Sequence, residues 1–221
     1  MKQLILAFAV ATTAFGTQAG MVSFNYGSPI VLSPNEINQT GSLGLFDSNL
    51  GTLTAARITV NGAATFLIQG TNFAEAARTA SITGATNLAW DSSITALDAF
   101  LNDTIDLSAT SGFQTYGAGQ ALVFGPLGDS DSLSDDLSTI LASLQAAGGG
   151  QFSLTCESIS GLLVQGGGGD IASDVTTNSG CGAEIAYTFD ERGSPIPEPG
   201  SLALVGLALA ASAAASRHRK A

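Results

Sequence analysis

The sequence predicts a mainly β fold: a β-sandwich with one amphipathic connecting helix, flanked by an N-terminal signal helix and a short hydrophobic C-terminal helix. Three observations indicate this class. Short apolar runs recur between turn residues, the chain holds 27 glycines among many serines and threonines, and one internal segment carries a clear helical stripe. Frequent short strands with frequent turns are typical of sandwiches, in which a helix can connect two strands.

Residues 1–19 have the pattern of a secretory signal peptide. Lys2 supplies a positive charge, residues 4–15 are apolar, and the segment ends on the small residue Ala19. We expect cleavage after Ala19 or after Gly20. A buried N-terminal helix is the alternative. The exported domain is then predicted to span residues 20–191.

The first part of that domain is predicted to be strands. Four runs alternate apolar and turn residues, at 21–26, 29–32, 42–46 and 53–60. Pro29 places the second of them at a sheet edge. Asn61-Gly62 follows the fourth run, and a further β-rich run follows at 63–69, a pattern that predicts a hairpin turn with 63–69 as the returning strand.

The middle of the domain is less regular. Strands are predicted near 80–82 and 88–90, and at 120–124, where Gly125-Pro126 ends the run. Segment 92–107 is ambiguous, because its apolar residues fit helical spacing whereas its Thr and Asp content suits a loop.

The clearest predicted helix follows. Its apolar residues fall at i, i+4, i+7, i+8 and i+11, on one stripe: Leu133, Leu137, Ile140, Leu141 and Leu144. Ser132 or Ser134 can cap it, Asp135 and Asp136 suit the positive end of its dipole, and glycines 148–150 end it.

The end of the domain returns to strands. These are predicted at 151–157, 162–165 and 184–189, and alternation places Ile185, Tyr187 and Phe189 on one face of the last strand.

Charge excludes one class of partner. Between the flanking segments only Arg57, Arg78 and Arg192 are basic, against 17 acidic residues, a net charge of about −14. Such a surface repels phosphate backbones, so the sequence argues against nucleic-acid binding.

The two cysteines, Cys156 and Cys181, predict a disulfide, since exported proteins with an even count usually pair them. Two free buried thiols are the alternative. A metal site lacks support, because no histidine lies near them.

Most catalytic schemes lack their side chains here. The single histidine is His218, and no lysine lies between Lys2 and Lys220, so Ser-His, Cys-His and lysine-based chemistry are unsupported. Paired carboxylates could serve a carbohydrate-active enzyme, with candidates Asp91, Asp98, Asp103 and Asp106. Solvated loop charge is the alternative. We therefore expect no enzymatic activity and no cofactor.

A second group of acidic residues could bind calcium. Asp129, Asp131 and Asp135 alternate as oxygen ligands would, but the segment lacks the central glycine and the final Glu of an EF-hand loop. A calcium-dependent adhesin is accordingly an alternative function.

The C-terminus carries a three-part pattern. Residues 192–200 form a Pro/Gly linker containing Pro197-Glu198-Pro199, and residues 201–221 combine an apolar run with a basic end. The run has about 15 residues, so its helix would be only about 22 Å long, short for a bilayer core of roughly 30 Å. This pattern resembles the PEP-CTERM sorting signal, which implies recognition and cleavage by a membrane-embedded exosortase. An ordinary tail anchor is the alternative.

The domain has a second resemblance. It rests on Phe46-Asp47, Leu50 to Thr54, the strand to Val60, Gly62 and the closing Ala186-Tyr187-Thr188-Phe189. These residues are similar to those of the choice-of-anchor E domain, and the resemblance implies a β-sandwich that precedes an anchoring signal.

Together these features predict an exported, exosortase-processed protein with a structural or adhesive role at the cell surface or in the extracellular matrix. Expected partners are signal peptidase, the exosortase, the membrane before cleavage and an extracellular polysaccharide. Transient anchoring through the C-terminal segment is expected.

Overall fold

A computed structural model describes residues 19–34 and 36–192, and it is mainly β. The predicted signal helix and C-terminal hydrophobic helix lie outside these residues. The first sheet has five strands: β1 (Ala19–Tyr26), β2 (Ser33–Pro34), β4 (Gly51–Asn72), β8 (Ala121–Asp136) and β11 (Ile171–Glu191). The second has six: β3 (Asn38–Asp47), β5 (Arg78–Ser92), β6 (Ile105–Thr110), β7 (Gln114–Tyr116), β9 (Gln145–Ala146) and β10 (Gly150–Gly166).

The two sheets pack face to face as a sandwich. In the first sheet the order is β1-β11-β4-β8, with β2 also on β11; in the second it is β6-β5-β10-β3-β9, with β7 also on β5. Pairing is antiparallel except between β3 and β9. The described residues also form one helical turn, α1 (Thr95–Asp98), and two 3₁₀ segments, Ser138–Leu144 and Gly167–Gly169.

The core lies between the sheets because alternate residues of each long strand face inward. Ile185, Tyr187 and Phe189 are all buried, which confirms that they share one face. The Phe46 ring lies against Tyr187 and Phe189, with centroids 5.9 and 5.0 Å apart. Tyr187 also donates a hydrogen bond to the Gly44 carbonyl across the sheets at 2.9 Å. These contacts fix one sheet over the other.

The predicted hairpin at Asn61-Gly62 is wrong, because β4 continues through it as a 22-residue strand. Gly62 faces the interior, where a Cβ would collide with the Leu88 side chain. Glycine is needed here for close approach of the two sheets rather than for a turn.

The predicted amphipathic helix is also wrong. Leu133 belongs to β8 and pairs with Val60 of β4, and only Ser138–Leu144 is helical, as a 3₁₀ segment with non-helical torsions at Ile140. Pairing with the long β4 satisfies the backbone of β8, so the helical stripe is overridden. Leu137 and Leu144 still reach the core.

Other boundaries shift in smaller ways. Residues 29–32 are not a strand, and β2 holds only the two residues after them. The run at 120–124 does not end at Gly125-Pro126: β8 passes through them, with an irregular register opposite Phe66 to Ile68. The runs at 80–82 and 88–90 are one strand, β5, and those at 151–157 and 162–165 are one strand, β10. The ambiguous segment forms α1 and the start of β6.

The strand directions give the sandwich two distinct ends. Ala19 of β1 is opposite Asp190 of β11, so the first and last described residues lie together at what we call the terminal end. The opposite end, the loop end, is formed by residues 73–77, 111–113, 117–120 and 167–170.

Candidate functional site

The predicted disulfide is present. Cys156 of β10 bonds to Cys181 of β11, with 6.5 Å between their Cα atoms, and both residues are buried. The bond therefore joins the two sheets covalently. Trp90, buried on the neighbouring strand β5, is the cross-strand partner of Cys156. The Cys156–Cys181 disulfide is a structural crosslink at the middle of the core.

The four candidate catalytic carboxylates do not meet in a cavity. Asp98 accepts a hydrogen bond from the Ser92 backbone N–H at 3.0 Å, and Asp106 accepts one from Asn87. Asp91 and Asp103 are exposed. Among the described residues, no group of three or more His, Cys, Asp or Glu side chains could hold a metal ion. Two of these carboxylates thus serve the local fold.

The candidate calcium ligands lie along one strand. Asp129, Asp131 and Asp135 are all on β8, so the first and last are about 20 Å apart in an extended strand, whereas calcium takes ligands at about 2.3–2.6 Å. Asp129 Oδ2 already accepts the Ser108 backbone N–H of β6 at 2.8 Å. The strand spreads these carboxylates instead of gathering them.

A polar cavity of about 550 Å³ lies on the outer face of the first sheet. Four neighbouring segments supply polar side chains to its lining, among them Asn25, Ser28, Asn61, Ser130, Asp131, Ser132 and Glu184. One wall is the chain after β1, which folds over the backbone of β11. A Cβ on Gly182 would lie 2.7 Å from the Gly27 carbonyl oxygen, so glycine is required there.

Sequence reasoning missed this cavity. The available signal was Gly180-Cys181-Gly182, where glycines alternate on the outward face of a strand. Such glycines indicate close approach of another chain segment.

Burial changes the acidity of the tyrosine beside this cavity. Tyr26 packs its ring against Gly41 of the second sheet, and burial raises the pKa of its hydroxyl to about 12. Burial also raises the pKa of Tyr187 and of Tyr116 above the usual value for tyrosine. All three tyrosines of the chain therefore stay neutral at physiological pH.

The loop end is organised by one buried amide. Asn72, the last residue of β4, donates from Nδ2 to the carbonyls of Ala76, Tyr116 and Gly117 at 2.8, 3.1 and 3.0 Å. Its Oδ1 accepts the Ala74 N–H at 2.9 Å. The side chain is fully buried, so these bonds hold two loops in fixed positions.

A second contact ties in the glycine-rich turn. Arg78 pairs with Asp170 at 2.7 Å, and the Phe73 N–H donates to the Asp170 carbonyl at 2.9 Å. Gly166 to Gly169 all have positive φ, a backbone conformation open to glycine. Hydrogen bonds and an ion pair therefore hold the loops of the loop end in fixed positions.

Comparisons with known proteins identify the C-terminal segment. Residues 195–220 match the PEP-CTERM protein-sorting motif. The PEP-CTERM motif implies export, anchoring in the membrane before cleavage, and processing by an exosortase. Pro197, Glu198 and Pro199 lie within the match and outside the described residues. Within residues 19–192, no helix is long and apolar enough to cross a bilayer.

The remaining comparisons add little. No curated protein matches the chain. A structure of the infectious bursal disease virus Gx strain is 11% identical over 93% of this chain and 52% of that one, with a TM-score of 0.18. A VP2 subviral particle of that virus is 11% identical over 85% of this chain and 42% of that one, with a TM-score of 0.19. The chain spans about half the length of these virus chains, and TM-scores this low do not establish a shared fold.

Proposed function

We propose that this protein is a non-enzymatic structural or adhesive module of the cell surface or extracellular matrix, delivered through its PEP-CTERM motif. The observation that carries the proposal is the motif at 195–220, which begins three residues after the described domain ends at Arg192. The signal peptide predicted at residues 1–19 supplies the export step.

The placement of the termini supports an orientation at the membrane. Both described termini lie at the terminal end, since Ala19 pairs with Asp190. Residues 193–200 separate the domain from the apolar run that starts at 201, and an extended chain spans at most about 3.6 Å per residue, so this tether reaches at most about 29 Å. Before cleavage the terminal end therefore faces the membrane, and the loop end points away from it.

The chemistry of the domain supports a non-catalytic role. Its candidate acids cap backbone groups or stand exposed, and residues 20–192 contain neither lysine nor histidine. The outer cavity offers amides and hydroxyls from Asn25, Asn61 and Ser132, which suit the hydroxyls of a polysaccharide. An extracellular polysaccharide is the partner we propose for it.

The resemblance of the domain to a choice-of-anchor E domain is part of this proposal. The residues that carry it lie in β3, β4 and β11 of the sandwich. A sandwich placed directly before a sorting signal has the arrangement that the resemblance implies.

The experiment replaces Glu198 by Gln in the native host and follows the protein by membrane fractionation and intact mass. We expect the variant to accumulate in the membrane with residues after the motif still attached, because the exosortase no longer recognises it. Glu191→Gln, at the exposed end of β11, is the matched control and should be processed normally. Normal cleavage of the Glu198 variant would contradict the proposal.

A further inference from the structure

One side of the sandwich is left open near the loop end. β3 pairs with β10 only along Gly150 to Glu157, and β1 and β2 pair with β11 only from Asn178 onward. Residues 161–166 of β10 and 171–177 of β11 therefore have no strand on that side among the described residues. We call these two segments together the open side.

The chain closes the rest of this side in a simple way. Ser33 pairs with Ser179 of β11, and the Ile37 N–H donates to Ser158 Oγ of β10 at 2.8 Å. The Ser158 N–H in turn donates to the Ile37 carbonyl, and the Glu36 carboxylate lies 3.4 Å from the Ser160 N–H. No described residue pairs with β10 beyond Ser160 on this side, so the next backbone groups along this edge have no partner within residues 19–34 and 36–192.

Apolar side chains are exposed at this edge. Leu162 is opposite Gly84, which faces the core, yet 47% of its surface is exposed. Leu163 and Ile159 point to the outer face and are 55% and 68% exposed. An inward-facing leucine that is half exposed shows that the sandwich is incomplete at this point.

The edge also lacks the features that protect free strands. Exposed edges are usually blunted by charge, proline or a bulge, because bare ones pair with other chains. Residues 158–169 contain no ionisable side chain and no proline, and the pairing of β10 with β5 has no register shift. In an acidic domain of net charge about −14, this uncharged strip is a place where two copies can approach without repulsion.

We propose that the open side binds a second copy of this chain, with β10 pairing antiparallel with β10 of the second copy about a two-fold axis at Leu163. The Ser158 N–H points to this side, so by alternation the N–H groups of Leu162 and Val164 do as well. Leu162 then exchanges hydrogen bonds with Val164 of the other copy. Leu163 lies beside its own equivalent and covers it.

The pairing has a geometric consequence for adhesion. Because the two β10 strands run in opposite directions, the terminal ends of the two copies point in opposite directions. Such a dimer does not fit two copies anchored side by side in one membrane. It fits released copies in a matrix, or copies on two facing surfaces. The pairing itself does not depend on the proposed function.

The contact is small, which sets its strength. Residues 161–165 of each β10 strand form the contact, so its buried surface area is well below the roughly 1,200 Å² of stable complexes. Dimerisation should therefore be weak in dilute solution and visible only at high protein concentration. Crosslinking at the two-fold axis captures such a pair.

The first test uses the full chain, exported so that its native disulfide forms, with Leu163→Cys. A cysteine on the two-fold axis lies next to its own copy, so mild oxidation should give a covalent dimer whose yield rises with concentration. Val123→Cys, equally exposed at 57% but on β8, is the control and should give about a tenth as much or less. Equal yields from the two variants would overturn the proposal.

The second test is sedimentation equilibrium up to millimolar concentration. Leu163→Lys should weaken dimerisation by about tenfold or more, because like charges meet across the axis. Val123→Lys should leave it unchanged, and circular dichroism checks that both variants fold. A wild-type chain that stays monomeric, or a dimer that survives Leu163→Lys, would overturn the proposal.

Discussion

The two lateral sides of the sandwich solve the problem of the free strand edge differently. On the β8 side, Asp129 accepts the Ser108 N–H of β6 and so links the two sheets, Pro126 lies at an irregular point of the strand, and Asp131, Asp135 and Asp136 add charge. On the open side the β10 segment has no charge and no bulge, and Asp174 is the one acid of the β11 segment. The Cys156–Cys181 bond joins the sheets in the neighbouring part, where β3 pairs with β10. One edge is protected against pairing, whereas the other is stable but free to pair.

The difference teaches where a partner can bind. Protection on one side shows that this acidic domain can carry the usual safeguards of a strand edge. The disulfide joins β10 to β11 in the covered part of this side, next to the open segments. A covalent link allows an edge to stay exposed without loosening the core.

The largest effect is expected at alkaline pH. All three tyrosines have pKa values raised by burial, that of Tyr26 to about 12. The folded state keeps their protons while the unfolded state loses them near pH 10, so stability is complete below pH 10 and falls as pH rises toward 12. Absorbance of tyrosinate should rise together with loss of the β signal in circular dichroism. If the tyrosines ionised at pH 10 while the fold stayed intact, the burial of these rings would be contradicted.

The second effect is loss of the disulfide. Replacing both Cys156 and Cys181 by Ala should lower the free energy of unfolding by about 3 kcal/mol, because the bond closes a 25-residue loop. Urea denaturation of the oxidised chain gives the reference, and the reduced wild type serves as the control. A loss under about 1 kcal/mol would mean that the open side does not depend on the crosslink.

The smallest effect is on the protected side. Asp129→Ala removes the link to Ser108 and should cost about 1 kcal/mol, since the hydrogen bond has a charged acceptor but lies near the surface. Asp174→Ala, an exposed acid on the outer face of β11, should change stability by less than about 0.5 kcal/mol. Equal effects of the two substitutions would remove the distinction between the sides.

Much of this fold follows from local sequence. Alternation located most strands, including the buried face of Ile185, Tyr187 and Phe189, and export made the pairing of the two cysteines the natural expectation. The sorting motif could be predicted from Pro197 to Pro199 with the apolar run and basic end behind them, because its pattern lies within one short segment.

The failures have a common physical cause. Asn61-Gly62 is a good local turn, but β4 runs straight because Gly62 lets Leu88 of the other sheet approach. The apolar stripe from Leu133 to Leu144 fits a helix, but its first residues pair with β4 and are part of strand β8. The polar cavity and the open side depend on which strands become neighbours, and no local pattern contains that information.

Hydrogen exchange at two protein concentrations, followed by mass spectrometry of fragments from both edges, tests the central contrast most directly. At high concentration, amides in residues 161–166 should exchange more slowly, since Leu162 and Val164 then pair with a second copy. Amides in residues 127–136 of the protected β8 edge should exchange at the same rate at both concentrations. Concentration-independent exchange in residues 161–166, or equal slowing at both edges, would contradict the account.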